Sequence, residues 1–451
     1  MPGLNCKTSA GKTLLACFLG ALVLGVLWRF RGSHGWGGED GILNVGFMFL
    51  CFLVFLTGGN EKTTPFRIAL TAIIFMLSTP AWGTFLNQIK GVISAGPQPL
   101  ITGISPLSGV VMMLLLGFGI SGLFGILLGS MFSATKWRLY HFITIIVAFI
   151  AVMYLSRVTI CHPILKAIQP RAVEAFDQAL AGSGVTGGAF NAYMFHFDDM
   201  PWAKEFIGGR NYVASFNTIS KAIATLVCIV LTRYWIKDKT SARIGLISAL
   251  SFAFAITFSD ISFVLWGHTG APALFPSEHI HPWACWEYFT GFFAGGLITY
   301  SVLKLKDSEV RKDGCLDFIP LKVRDILAFL VTFGVMGYNM INPTVLRFDG
   351  SDLRPYVFAL VAAMFAVIVV VAAFKSRLGS IKLDNARFSQ EVFLFLLILQ
   401  SFVYFFGAGH YANFRNLPDM EHMMTLISIS LIIIYMVVII SNRRKSQPSP
   451  R

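Results

Sequence analysis

The chain predicts an all-α fold, a polytopic transmembrane helix bundle of about twelve spans. Three observations lead there. Hydrophobic residues make up 55% of the 451 and charged residues only 13%, where a soluble domain would carry about a quarter. Mean hydropathy is +0.68. Apolar stretches of roughly 17–22 residues recur along the whole length, each about one hydrocarbon thickness as a helix. The net charge of +13 records loop topology and contact with anionic lipid, not a nucleic-acid partner. Seven cysteines show no metal-ligand spacing and mostly sit in apolar runs as small hydrophobes.

The spans follow in order near 13–28, 41–57, 67–84, 106–128, 139–156, 214–233, 245–266, 283–303, 323–341, 356–374, 391–408 and 421–440. Lys7 and Lys12 precede the first. No small-residue cleavage site follows it, so it reads as an uncleaved anchor. Spans 1 and 2 are joined by the glycine-rich hairpin WRFRGSHGWGGEDG. Span 4 carries Gly117, Ser121, Gly125 and Gly129 at i, i+4, a smooth face for close helix contact, and Gly291 and Gly295 do the same in span 8. Between spans 5 and 6 lies a long loop, 157–213, with a helix expected around Pro170–Leu180. Its length suits a lid or binding element. Spans 1 and 7 both end in VLW before Gly/His loops, a weak sign of two six-helix halves.

Loop charge orients the bundle. A cytoplasmic N-terminus leaves roughly twice as many Lys and Arg on the inner side as on the outer. RYWIKDKTSAR, KSRLGSIKLDNAR and the basic tail at 443–451 then lie inside, in the expected plasma (inner) membrane location, and both termini are cytoplasmic. The outer loops hold every histidine except His141, and most tryptophans, which fit an interfacial aromatic belt.

Two sets of polar residues stand out. In the first hairpin, Arg29 and Arg31 oppose the local charge bias, and Glu39 and Asp40 are their nearest partners for a structural salt bridge. The alternative is an anion- or sugar-binding lip built from Arg31, His34 and Trp36. Within the spans, ionisable groups are scarce. Lys221, Asp260 and Glu287, with Gln400 nearby in depth, define a stratum within roughly 6–11 Å of the outer helix ends. Charges there cost about 2.5–3.5 kcal/mol and normally face inward and pair. The structural reading is an ion pair of Lys221 with Asp260 or Glu287, and the functional one is a solute or proton site. Glu278, His279 and His281 in PSEHIHPW could share an ion, but H-x-H alone is weak. Cys161 and Cys285 both lie near the outer face, where a bridge is conceivable.

The leading expectation is a secondary transporter of a small polar or anionic solute, using Arg31, His34, Trp36, Glu39, Asp40, Lys221, Asp260, Glu287 and Gln400. The other is a membrane-embedded enzyme transferring a glycosyl, acyl or phospho group to an envelope lipid or glycan at the outer face. No catalytic residue and no cofactor can be assigned. Membrane lipid is the expected partner, and nothing in the sequence sets the oligomeric state. A polar route through the inner half of the bundle would favour transport.

Overall fold

The computed structural model describes residues 10–33, 39–79, 92–94, 99–102, 105–170, 210–267, 273–275, 279–305, 347–348, 351–352, 385–406 and 420–445, with isolated positions between 173 and 181. Helices occupy these residues almost throughout. In chain order they are α1 (Ala10–Ser33), α2 (Glu39–Thr57), α3 (Pro65–Leu77), α4 (Pro106–Phe132), α5 (Leu139–Thr159) and α6 (Cys161–Ile168). There follow α7 (Arg210–Tyr234), α8 (Lys239–Ser259), α9 (Ile261–Trp266), α10 (Pro282–Leu303), α11 (Asn385–Phe406) and α12 (Met420–Lys445).

Ten of the expected spans fall wholly or in part on these helices, 245–266 on both α8 and α9 and 67–84 only in part on α3, while 323–341 and 356–374 lie outside the described residues. Among the described residues six helices are long and apolar enough to cross a membrane. The chain is a multi-pass helical protein of membrane-spanning character. Two short antiparallel hairpins accompany the helices of the all-α fold. β1 (Val92–Ser94) pairs with β2 (Pro99–Thr102), and β3 (Arg347–Phe348) with β4 (Ser351–Asp352). The connection between β3 and β4 is Asp-Gly, a favoured two-residue hairpin sequence.

The chain divides into two compact units, one formed by 1–73, 279–312 and 317–451, the other by 74–278 and 313–316. This grouping does not follow a cut after the sixth span.

In unit 1, α1 and α10 run antiparallel at close range. A Cβ at Gly291 would fall 2.2 Å from the Leu24 carbonyl oxygen, and one at Gly295 would fall 2.3 Å from that of Gly20. The small-residue face read from the sequence is therefore a backbone-to-backbone contact. α2 lies antiparallel to α11. Asn385 Nδ2 donates to the Asn60 carbonyl (2.9 Å) at one end, Phe52 meets Phe393 midway, and Gln400 Nε2 donates to Asn44 Oδ1 (3.0 Å) at the other. α12 runs parallel to α10, tied by Met420 N–H to the His279 carbonyl (3.1 Å) and by the Tyr288–Ser428 hydroxyl pair (2.6 Å).

In unit 2, α4 is the central helix. Its Gly117, Gly125 and Gly129 face α8, where added Cβ atoms would meet Phe252 and Ala253 backbone, Ser248 and Ser241 at 2.3–2.7 Å. Ser121 Oγ donates to the Ser248 carbonyl at 2.7 Å on the same seam. The other side of α4 faces α7: Gly119 sits against Lys221 and Ala222, and Gly122 against Thr225. The residue order makes α8 antiparallel and α7 parallel to α4.

Aspartate 238 closes one end of this unit. It accepts from Ser241 N–H (3.0 Å) and Ser241 Oγ (2.6 Å), capping α8, and from the buried Trp137 Nε1 (2.8 Å). Asp238→Ala removes a helix cap and strands an indole N–H. It is expected to cost about 2 kcal/mol or more, with Asp238→Asn losing less because its amide oxygen still accepts. Thermal unfolding of the two variants in one detergent checks this; equal midpoints would remove the capping account.

The expected loop after span 5 begins differently. α5 runs on to Thr159 and a further helix, α6, follows at once. The expected helix around Pro170–Leu180 falls largely outside the described residues. Several tryptophans also depart from the belt. Trp28, Trp137 and Trp286 are fully buried, whereas Trp235 is exposed. The Trp28 ring stands under the Arg31 guanidinium and Trp137 donates to Asp238, while Trp286 meets the Trp283 ring edge-on.

Candidate functional site

At one end of unit 1 four helix ends deliver polar groups to a single buried layer. The last turn of α1 brings Arg29 and Arg31, the first turns of α10 bring Glu287, α11 ends near Tyr404, and α12 begins with Glu421 and His422. Glu287 is the hub. Its Oε2 accepts from Arg29 Nη1 at 3.0 Å, and its Oε1 lies 3.7 Å from Arg31 Nη2, with the arginines 1% and 3% exposed. Gly32 makes room for this carboxylate: a Cβ there would lie 1.8 Å from both oxygens. The run Arg29-Phe30-Arg31-Gly32 thus works as a cradle, with two guanidiniums on a helix end and no side chain between them and their carboxylate.

Aromatic rings back the cations. The Arg31 guanidinium stands 4.7 Å over the Trp28 ring, and that of Arg29 stands 5.8 Å over Tyr404, distances at which the ring quadrupole attracts a cation. Tyr404 in turn meets the His422 ring at 5.6 Å. Glu421 sits at the N-terminal end of α12, where the helix dipole favours an anion, and accepts from His281 N–H at 3.4 Å. Two guanidiniums and two carboxylates, with a phenol and an imidazole, are gathered out of water. Such a balanced set can hold a dipolar headgroup or position a proton donor and acceptor.

The sequence expectations meet this geometry unevenly. Arg31 and Glu287 come together, a pairing the sequence reading did not anticipate. For the arginines it had named Glu39 and Asp40, whose side chains lie outside the described ones, as do His34 and Trp36. For Glu287 it had named Lys221. The signal that could have found the cradle is Arg29-Phe30-Arg31-Gly32 itself, with the outer-end carboxylate of an antiparallel span. Gln400 is buried on α11 and bonds Asn44 of α2, a side-chain partner the sequence reading missed.

In unit 2 the expected Lys221–Asp260 ion pair does not form, which corrects the structural reading of the buried stratum. Lys221 Nζ donates to the Thr79 carbonyl instead. Axial position explains this. Gly119 of α4 faces Lys221 while Gly117 faces Phe252 and Ala253, so Lys221 stands level with about residue 251 of α8. Asp260 lies nine residues further on, about 13 Å along the axis. The depth of Lys221 also changes. α7 begins at Arg210, so Lys221 sits about 16 Å from that end, close to the helix midpoint.

Asp260 is the residue between α8 and α9 and keeps helical backbone angles (φ −61°, ψ −17°), so that Lys239–Trp266 runs as one membrane-length span. Its backbone carries the helix through: its N–H donates to the Ile256 carbonyl and its carbonyl accepts from Phe263 N–H. Its side chain is 0% exposed, and neither carboxylate oxygen has a hydrogen-bond partner among the described residues. The neighbouring hydroxyls of Ser259 and Ser262 are buried and without a hydrogen-bond partner there too.

Among the described residues no three His, Cys, Asp or Glu side chains are placed to hold a metal ion; Glu278, His268 and His34 lie outside them. Cys161 and Cys285 are both buried free thiols, one in each unit. No family model, curated protein or solved structure matches the chain.

Proposed function

We propose that the protein is a secondary transporter of a small polar or anionic solute, with about twelve spans and both termini in the cytoplasm, and that Asp260 takes the coupling cation. The observation that carries this reading is the carboxylate of Asp260, fully buried within a membrane-length helical span and without a hydrogen-bond partner among the described residues. An isolated carboxylate in such surroundings requires a proton or a monovalent cation to neutralise it. Ionisable residues buried within spanning segments mark ion and solute pathways. The midpoint position of Lys221 adds a second intramembrane charge at a depth suited to a solute anion.

The test uses the full chain reconstituted in proteoliposomes, with a panel of organic acids, amino acids and sugars offered under an imposed proton or sodium gradient. Wild-type protein is expected to accumulate at least one class of solute, and Asp260→Asn to lose gradient-driven accumulation while retaining solute exchange. Absence of gradient-driven uptake, or an Asp260→Asn protein that accumulates normally, removes the reading. Cysteine labelling at Trp36 and at Lys239 from each side of the membrane tests the orientation, with Trp36 expected outside and Lys239 inside.

The second reading, an enzyme working on an envelope lipid or glycan, is favoured by the unit 1 layer, where Glu287, Glu421, His422 and Tyr404 combine acid–base groups with two arginines. It predicts turnover of a lipid-linked substrate, abolished by His422→Ala and unaffected by Asp260→Asn.

A further inference from the structure

We infer that the end of unit 2 formed by 133–140 and 233–243 is a binding surface for anionic phospholipid headgroups. It concerns the exposed face of that unit and holds whether or not the chain moves a solute.

The surface is built on a rigid corner. Trp137 Nε1 donates to Asp238 Oδ2, and the Tyr140 and His141 rings stand 6.1 and 5.6 Å from that of Trp235. These contacts lock the α4–α5 and α7–α8 connections together. Around the corner Lys136, Arg138, Arg233, Lys237, Lys239 and Arg243 are all exposed. Asp238, the acid within these stretches, is 1% exposed and already engaged by Trp137 and Ser241. The exposed charge is therefore uniformly positive, and none of the six basic groups has an ion-pair partner among the described residues. The opposite end of the unit is mixed in sign, with Lys166, Glu174 and Asp177 exposed.

What selects a lipid over a free anion is the continuation of this charge into apolar stripes. On α8, Arg243, Leu246, Leu250 and Phe254 recur at i, i+3, i+7 and i+11, and the three apolar members are 39–53% exposed. On α7, Leu226 and Val230 lead to Arg233 at the same helical spacing. On α5, Arg138 heads an exposed line through Leu139, Ile143, Val147, Ile150 and Tyr154. That last line is about 22 Å long, more than the ~15 Å hydrocarbon depth of one leaflet. Each stripe ends at a cation, as an acyl chain ends at a phosphate. Exposed Tyr140 and Trp235 stand at the junction, the level aromatic side chains prefer in a bilayer. Inorganic phosphate would use the cations and leave the stripes unused.

The experiment titrates the purified full chain, in neutral detergent, with dioleoyl phosphatidylglycerol, dioleoyl phosphatidylcholine or inorganic phosphate, reading the thermal unfolding midpoint. The expected result is stabilisation by phosphatidylglycerol alone, weakening as salt rises. A combined Lys136→Gln, Arg138→Gln, Lys237→Gln and Lys239→Gln variant is expected to lower apparent affinity for phosphatidylglycerol at least ~10-fold, with Lys166→Gln at the other end without effect. Equal stabilisation by phosphatidylcholine, an equal effect of phosphate alone, or undiminished affinity of the combined variant would each overturn the proposal. Should that variant not fold, the salt titration of the wild-type protein decides, because salt-independent binding of phosphatidylglycerol excludes a headgroup site on these cations.

Discussion

Glu287→Ala is expected to destabilise the protein by about 3–5 kcal/mol, the usual cost of removing one partner from a buried ion pair. The size follows from the geometry, because this carboxylate faces two guanidiniums that are 1% and 3% exposed. Removing it leaves two cations in a layer sealed by Trp28, Tyr404 and Phe30. Glu287→Gln keeps the shape and an acceptor oxygen but loses the charge, and it is expected to lie between alanine and wild type. Pairing Glu287→Ala with Arg29→Met relieves part of the imbalance, so the double variant is expected to be more stable than Glu287→Ala alone. Unfolding midpoints and yields of the folded fraction in one detergent measure all three. If Glu287→Ala melts with the wild type, the cradle contributes nothing to stability and the account of Gly32 fails with it.

The second large effect comes from the helix seams. Gly117→Ala would place a methyl group 2.3 Å from the Phe252 carbonyl oxygen and 2.4 Å from the Ala253 Cα. These are backbone atoms of the facing helix, which cannot rotate aside as a side chain can. The α4–α8 contact must open, at an expected cost of about 1–3 kcal/mol for alanine and more for valine or leucine. Gly291→Ala meets the Leu24 carbonyl at 2.2 Å on the α1–α10 seam and is expected to behave alike. Gly296 is the control. A Cβ there finds its nearest neighbours at 3.5 Å, an ordinary contact, so Gly296→Ala is expected to be neutral or slightly stabilising through helix propensity. Equal melting of all three alanine variants would sink the close-packing account.

The two seams were legible from spacing alone. Gly117, Ser121, Gly125 and Gly129 share one face of any helix, and small residues at that period have little use except close approach. Existence and order of the helices were legible for the same reason, since a membrane-length apolar run has one economical backbone solution. Chain direction was implied as well. Within unit 1 the antiparallel α1–α10 and parallel α10–α12 pairs run as alternating spans require, and within unit 2 so do α4–α8 and α4–α7.

Partner choice was harder to read. Glu39 and Asp40 were the nearest acids to Arg31 along the chain, yet Glu287, 258 residues from Arg29, receives both guanidiniums. Lys221 and Asp260 looked level because depth was counted from helix ends placed several residues off. Four residues of error in the start of α7 shift Lys221 by about 6 Å. The surroundings of Asp260 were not visible either, since its burial with no hydrogen-bond partner among the described residues depends on which helices pack against it. Trp28 and Trp137 misled for a related reason. An indole suits the membrane interface, but it equally suits a buried layer where a cation or carboxylate stands beside it.

Composition and periodicity alone determined that this chain forms apolar helices of membrane length, which of their faces are small enough for close contact, and the alternation of their directions. Those properties depend on residue type and on spacing within one helix, both carried by neighbouring positions. Only the tertiary structure decided that Glu287 serves two arginines, that Lys221 stands near a helix midpoint, and that Asp260 is buried without a hydrogen-bond partner among the described residues. Such facts depend on which helices meet and at what axial offset, and a slip of one turn moves a charge about 5.4 Å, enough to exchange an ion pair for an isolated carboxylate.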